Sequence, residues 1–69
     1  MAHQKIEGPY RVLSHRDHLD RVVQWEIVEI VDEQPVPLRP KLVYEKEKRA
    51  SAYRRLALLN RRWQREQVK

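Results

Sequence analysis

The hydrophobic pattern changes period once along this chain. Up to about residue 45 apolar positions tend to alternate. Beyond it they recur every third or fourth residue. In GPYRVLSH (8–15), Tyr10, Val12 and Ser14 share one parity, and Arg11 and Leu13 the other, which predicts a short strand. The polar, Asp-rich RDHLD that follows reads as a hairpin connection. RVVQWEIVEIV (21–31) is the strongest strand, because six of its eleven residues are Val or Ile and one is Trp. Its odd positions place Val23, Trp25 and Ile27 on the core face. Its even positions leave Val28 and Ile30 beside Glu26, an apolar patch on a second face.

DEQPVPLRPK holds three prolines, which cannot donate to a sheet ladder. A turn into an edge strand is expected there, with KLVYE (41–45) as a short third strand. KEKRASAYRRLALLNRRWQREQ (46–67) contains neither Gly nor Pro and is rich in helix formers. At about 100° per residue, Ala50, Tyr53, Leu56, Ala57, Asn60 and Trp63 form one stripe. Arg54, Arg61 and Arg65 form a row on the other side, with Arg55 and Arg62 beside it and Leu58 among them. The expected fold is α+β: a three-stranded antiparallel meander packed against one long C-terminal amphipathic helix (β-β-β-α). Trp25, Tyr53, Leu56 and Trp63 are the expected core. Residues 1–69 make one domain, with 1–8 a flexible N-terminus, 9–45 the meander and 46–67 the helix.

A domain of 69 residues buries only roughly 60% of its unfolded surface. Cysteine is absent, so neither a disulfide nor a thiolate is available. Oligomerisation is one remaining route to stability. A homodimer is therefore expected, with Val28 and Ile30 as its contact face or as a second partner-binding face. No apolar run approaches the roughly 20 residues that span a bilayer, and MAHQKIEGP has no signal-peptide core. These features point to a cytoplasmic protein with no membrane partner.

Charge is unevenly placed. Residues 1–35 carry four Lys/Arg and seven Asp/Glu, a balance of −3; residues 36–69 carry eleven and three, a balance of +8. The overall +5 belongs to the C-terminal half. Such asymmetry suits an anionic partner, although a solvated helix face gives the same count.

Catalysis finds little support. A single glycine excludes a Gly-rich phosphate loop, and Ser14 and Ser51 have no argued base. So small a chain has little room for a pocket of about 300 Å³ or more. No enzyme and no cofactor are expected. His15, Asp17, His18 and Asp20 have metal-binding side chains, but Arg16 and Arg21 oppose a cation, and a solvated hairpin loop is the favoured reading. Trp25 and Trp63 could stack bases, yet both fall on expected core stripes.

The arginine face is the main functional signal. Arg54, Arg55, Arg61, Arg62 and Arg65 can contact phosphate or carboxylate in bidentate fashion. Leu58 in their midst is the pattern of an interface core with a polar rim. The first expectation is a non-enzymatic protein that binds and modulates another protein through Arg54, Arg55, Leu58, Arg61, Arg62 and Arg65. The alternative is a small basic DNA-binding protein. Reading DNA from the open sheet face is disfavoured, because Glu26 there would meet phosphates.

The pattern PYRV…WEIVEIVDEQPVP…LVYEKEKRASAYRRLALLN resembles many short phage and prophage proteins. They share a tyrosine-led strand, a Trp-containing strand, a turn, a third strand, and a helix with spaced alanines ending in Leu-Asn. Tyr10, Trp25, Ala50 and Leu59-Asn60 carry that likeness across residues 9–60. It departs at Pro35, Pro37 and Pro40, where a Gly-containing turn is usual, and after Asn60, where the helix runs on. The resemblance implies a fold and a mobile-element origin. It suits an accessory factor acting on a host regulatory or defence protein, and it implies no chemistry.

Overall fold

The computed structural model describes residues 8–67. Residues 1–7 of the expected flexible N-terminus lie outside that range. Three strands, β1 (Tyr10–Arg16), β2 (Val22–Val31) and β3 (Gln34–Glu45), form one antiparallel sheet in the order β1-β2-β3. A 3₁₀ turn (Lys46–Lys48) leads into the helix α1 (Arg49–Gln67). This is the β-β-β-α arrangement read from the sequence.

β2 is central, as its Val/Ile content requires. Ile27 is fully buried and meets the helix side, where Ala52 is also fully buried. Trp25 packs edge-on against Tyr53, with ring centroids 6.4 Å apart and an interplanar angle of 62°. Its indole N–H donates to the Lys46 carbonyl at 2.9 Å, which ties the start of the helical segment to the sheet. The Arg49 guanidinium stands over both rings, 5.6 Å from Trp25 and 5.0 Å from Tyr53.

The ladder can be phased from one pair of hydrogen bonds. Tyr10 N–H donates to Asn60 Oδ1 at 3.1 Å, and Asn60 Nδ2–H donates to the Tyr10 carbonyl at 3.2 Å. Tyr10 therefore directs both main-chain groups away from β2. In agreement, Ile30 N–H donates to the carbonyl of the preceding Pro9 at 2.7 Å. Hydrogen-bonded and non-bonded pairs alternate in an antiparallel ladder. Pairing of Tyr10 with Glu29, Val12 with Ile27 and Ser14 with Trp25 then leaves Glu29, Ile27 and Trp25 bonding toward β3. Their β3 partners Val36, Leu42 and Tyr44 face inward. Pro35, Pro37, Val43 and Glu45 face outward along the free edge.

This phase corrects the reading of the prolines. β3 is a strand of twelve residues from Gln34, not a short one from Lys41. Pro35 and Pro37 fit within it because their missing N–H groups would point to solvent. Four residues, 38–41, are inserted where the register steps from Val28–Pro37 to Ile27–Leu42. The β2–β3 turn is two residues long, and Asp32 and Glu33 both have positive φ (51° and 66°), as such hairpins demand.

Other core expectations also change. Val23 is 47% exposed, because the β1–β2 register shifts at His15/Arg16 and Val23 pairs with neither neighbouring strand. Trp63 is 37% exposed and Tyr53 is exposed too. Asn60 already sits at the start of β1, so the helix beyond it outruns the sheet that would cover Trp63. Val28, expected on an exposed contact face, is only 2% exposed. It lies on the central strand beside the four-residue insertion, flanked by Arg11 and Pro37. The apolar patch that suggested a dimer through Val28 and Ile30 is thus largely internal, with Ile30 half-buried.

Candidate functional site

The flank of α1 nearest β3 forms one side of an open groove of about 520 Å³, lined by Tyr44, Ser51, Arg54, Arg55, Ala57, Leu58 and Arg61. Helical spacing brings the six helix residues onto adjoining rows, and the turn at Lys46–Lys48 folds this flank back beside Tyr44. The groove exceeds the room that chain length alone suggested.

Four of the six residues expected at the contact surface converge here: Arg54, Arg55, Leu58 and Arg61. Arg62 and Arg65 are exposed but stand outside the lining. Tyr44 was missed as part of the site; the sequence offered it only as one residue of the short strand KLVYE. Leu58 is 37% exposed. Among the described residues, none of Arg54, Arg55, Arg61, Arg62 and Arg65 makes an ion pair. Several cationic groups thus surround an accessible leucine and a tyrosine, a surface suited to an anionic ligand with an apolar part.

The polar cluster of the β1–β2 connection is engaged internally. Asp17 Oδ1 accepts from Leu19 N–H (2.9 Å) and Arg21 N–H (3.0 Å), and Arg21 Nε–H donates to Asp17 Oδ2 at 3.1 Å. The Arg21 main-chain N–H is the largest influence holding the Asp17 carboxyl below its usual range. The Leu19 N–H and the Arg21 side chain act in the same direction, against a contribution from desolvation. No group of three or more His, Asp or Glu side chains is placed to hold a metal among the described residues.

His15 instead meets Glu26 on the sheet face opposite the helix, Nε2 to Oε1 at 2.7 Å. Glu26 is only 4% exposed, and its Oε2 has no hydrogen-bond partner among the described residues. The cross-strand row on this face reads Leu13, Glu26, Val43.

Comparison with protein-family models, curated proteins and solved structures found no match to this chain. No helix among the described residues is long and apolar enough to cross a membrane.

Proposed function

We propose that the chain is a small, non-enzymatic, cytoplasmic protein-binding module that recognises its partner in the groove between α1 and β3. In keeping with its resemblance to short phage proteins, it acts as an accessory factor that binds a host regulatory or defence protein and inhibits or redirects it. The observation that carries this reading is the convergence of Arg54, Arg55 and Arg61 around the exposed Leu58. An apolar centre with a cationic rim gives affinity through burial and selectivity through charge.

The test is retention of a host protein on the immobilised chain, compared with Leu58→Asp and Arg54→Glu variants. Leu58 is outside the core, so Leu58→Asp leaves the fold intact and abolishes retention. Equal retention by both variants overturns the reading.

Duplex DNA is the second reading, favoured by five helix arginines without ion pairs among the described residues. Binding to random-sequence DNA at two salt concentrations separates the two. Phosphate contacts release counterions, so DNA affinity falls steeply with salt and each arginine contributes alike. Leu58→Asp then has only the effect of one misplaced charge.

A further inference from the structure

We infer that the end of β3, residues 43–45, is a strand-addition site for an extended acidic segment of a partner protein. This rests on the protein-binding reading of the groove and names the form and charge of what enters it.

Edge protection is uneven along the sheet. An exposed edge is a template for another strand unless its main-chain groups are removed or covered. At the start of β1 the Asn60 amide satisfies both outward groups of Tyr10. Along the first half of β3, Pro35 and Pro37 occupy outward positions and offer no N–H. After the 38–41 insertion the next outward positions are Val43 and Glu45. Val43 presents an N–H and a C=O along the free edge and is 42% exposed, while Glu45 adds its N–H, its carbonyl being used as the cap of the 3₁₀ turn. Tyr44 lies between them and lines the arginine groove. The backbone template and the groove therefore adjoin.

A strand added here sends alternate side chains to the two faces of the sheet. One row enters the groove beside Tyr44 and Leu58, within the field of Arg54, Arg55 and Arg61. A row of acidic residues matches the arginines of that lining, and an alternating sequence sends its apolar residues to the opposite face. Charge also selects against a second copy. Antiparallel pairing of two β3 edges places both helices on one face, arginine flank toward arginine flank. The occupant is thus an acidic segment of another protein. Main-chain pairing supplies part of the affinity, and the groove supplies the selection.

The test uses a fluorescein-labelled ten-residue peptide of alternating Glu and Val, followed by fluorescence anisotropy at low salt. Three control peptides are two forms of the same sequence, each N-methylated at one of the two sets of alternate residues, and a Lys/Val counterpart. Val43→Pro extends the proline pattern the edge already carries at outward positions. It removes one outward donor and leaves the Leu42 and Tyr44 bonds to β2. The Glu/Val peptide is expected to bind, and Val43→Pro to weaken it roughly three- to tenfold, the effect of one lost hydrogen bond. N-methylation that blocks the pairing edge weakens it more, and the Lys/Val peptide does not bind. If Val43→Pro fails to fold by circular dichroism, the N-methylated peptides decide the matter.

Equal binding of every N-methylated form overturns strand addition, as does no binding of the Glu/Val peptide at millimolar concentration. Loss of host-protein retention in Leu58→Asp would still uphold the broader groove reading in either case.

Discussion

The Asn60 amide closes a two-bond ring with the main chain of Tyr10, fifty residues away in sequence. It stands in for a neighbouring strand at the start of β1 and anchors the helix to the sheet. Gly8 lies against it so closely that an added Cβ would overlap the amide. The only glycine in the chain therefore serves close approach, with no positive φ involved.

Asn60→Leu removes both bonds and leaves two main-chain groups without partners. The expected loss is about 2–3 kcal/mol, read as a lower midpoint in urea unfolding. Gly8→Ala is expected to destabilise in the same direction by displacing the amide. An unchanged midpoint in Asn60→Leu would show that the ring contributes nothing.

The His15–Glu26 pair makes a second prediction. His15→Ala leaves the Glu26 side chain, 6% exposed, without its one partner among the described residues. The expected loss is about 1–3 kcal/mol. Glu26→Leu removes the unpartnered Oε2 as well and is expected to be neutral or stabilising, as when a buried ion is replaced by an apolar group. Thermal unfolding of both variants distinguishes them, and a loss in Glu26→Leu as large as in His15→Ala contradicts the argument.

Asp17 predicts a pH dependence. Its folded value lies below its unfolded one. Its contribution is therefore present above the unfolded value and is lost as pH falls below about 4 through the lowered folded value. Stability rises with pH across that window. Asp17→Asn should flatten this part of the profile, measured by urea unfolding between pH 2 and 6.

Glu33 has a φ of 66°, a conformation costly for a side chain with a Cβ. Glu33→Gly relieves the strain at the hairpin tip and is expected to stabilise by about 0.5–1 kcal/mol, net of glycine's greater freedom when unfolded. A lower melting temperature would refute this.

Local periodicity was enough to order the elements. Alternation around Trp25 and Ile27, and three-to-four spacing from Ala50 onward, dictate strands followed by an amphipathic helix, because these periods report which side chains share a face. The arginine rows and Leu58 followed from the same helical geometry. Sequence alone also identified β3 as an edge, since its prolines cannot donate.

Tertiary structure decided where each face ends and which edge groups are free. Trp63 follows the core stripe but lies beyond the residue at which the helix meets β1, so periodicity counted it where no sheet remained. Val28 is buried because of its place beside an insertion in a neighbouring strand, a non-local effect. Glu26 found His15 across the ladder, a pairing set by register. The phase of that ladder made Pro35 and Pro37 compatible with a strand and turned the Val43 main chain and the Glu45 N–H outward. Register depends on partners distant in the chain, whereas periodicity depends only on neighbours.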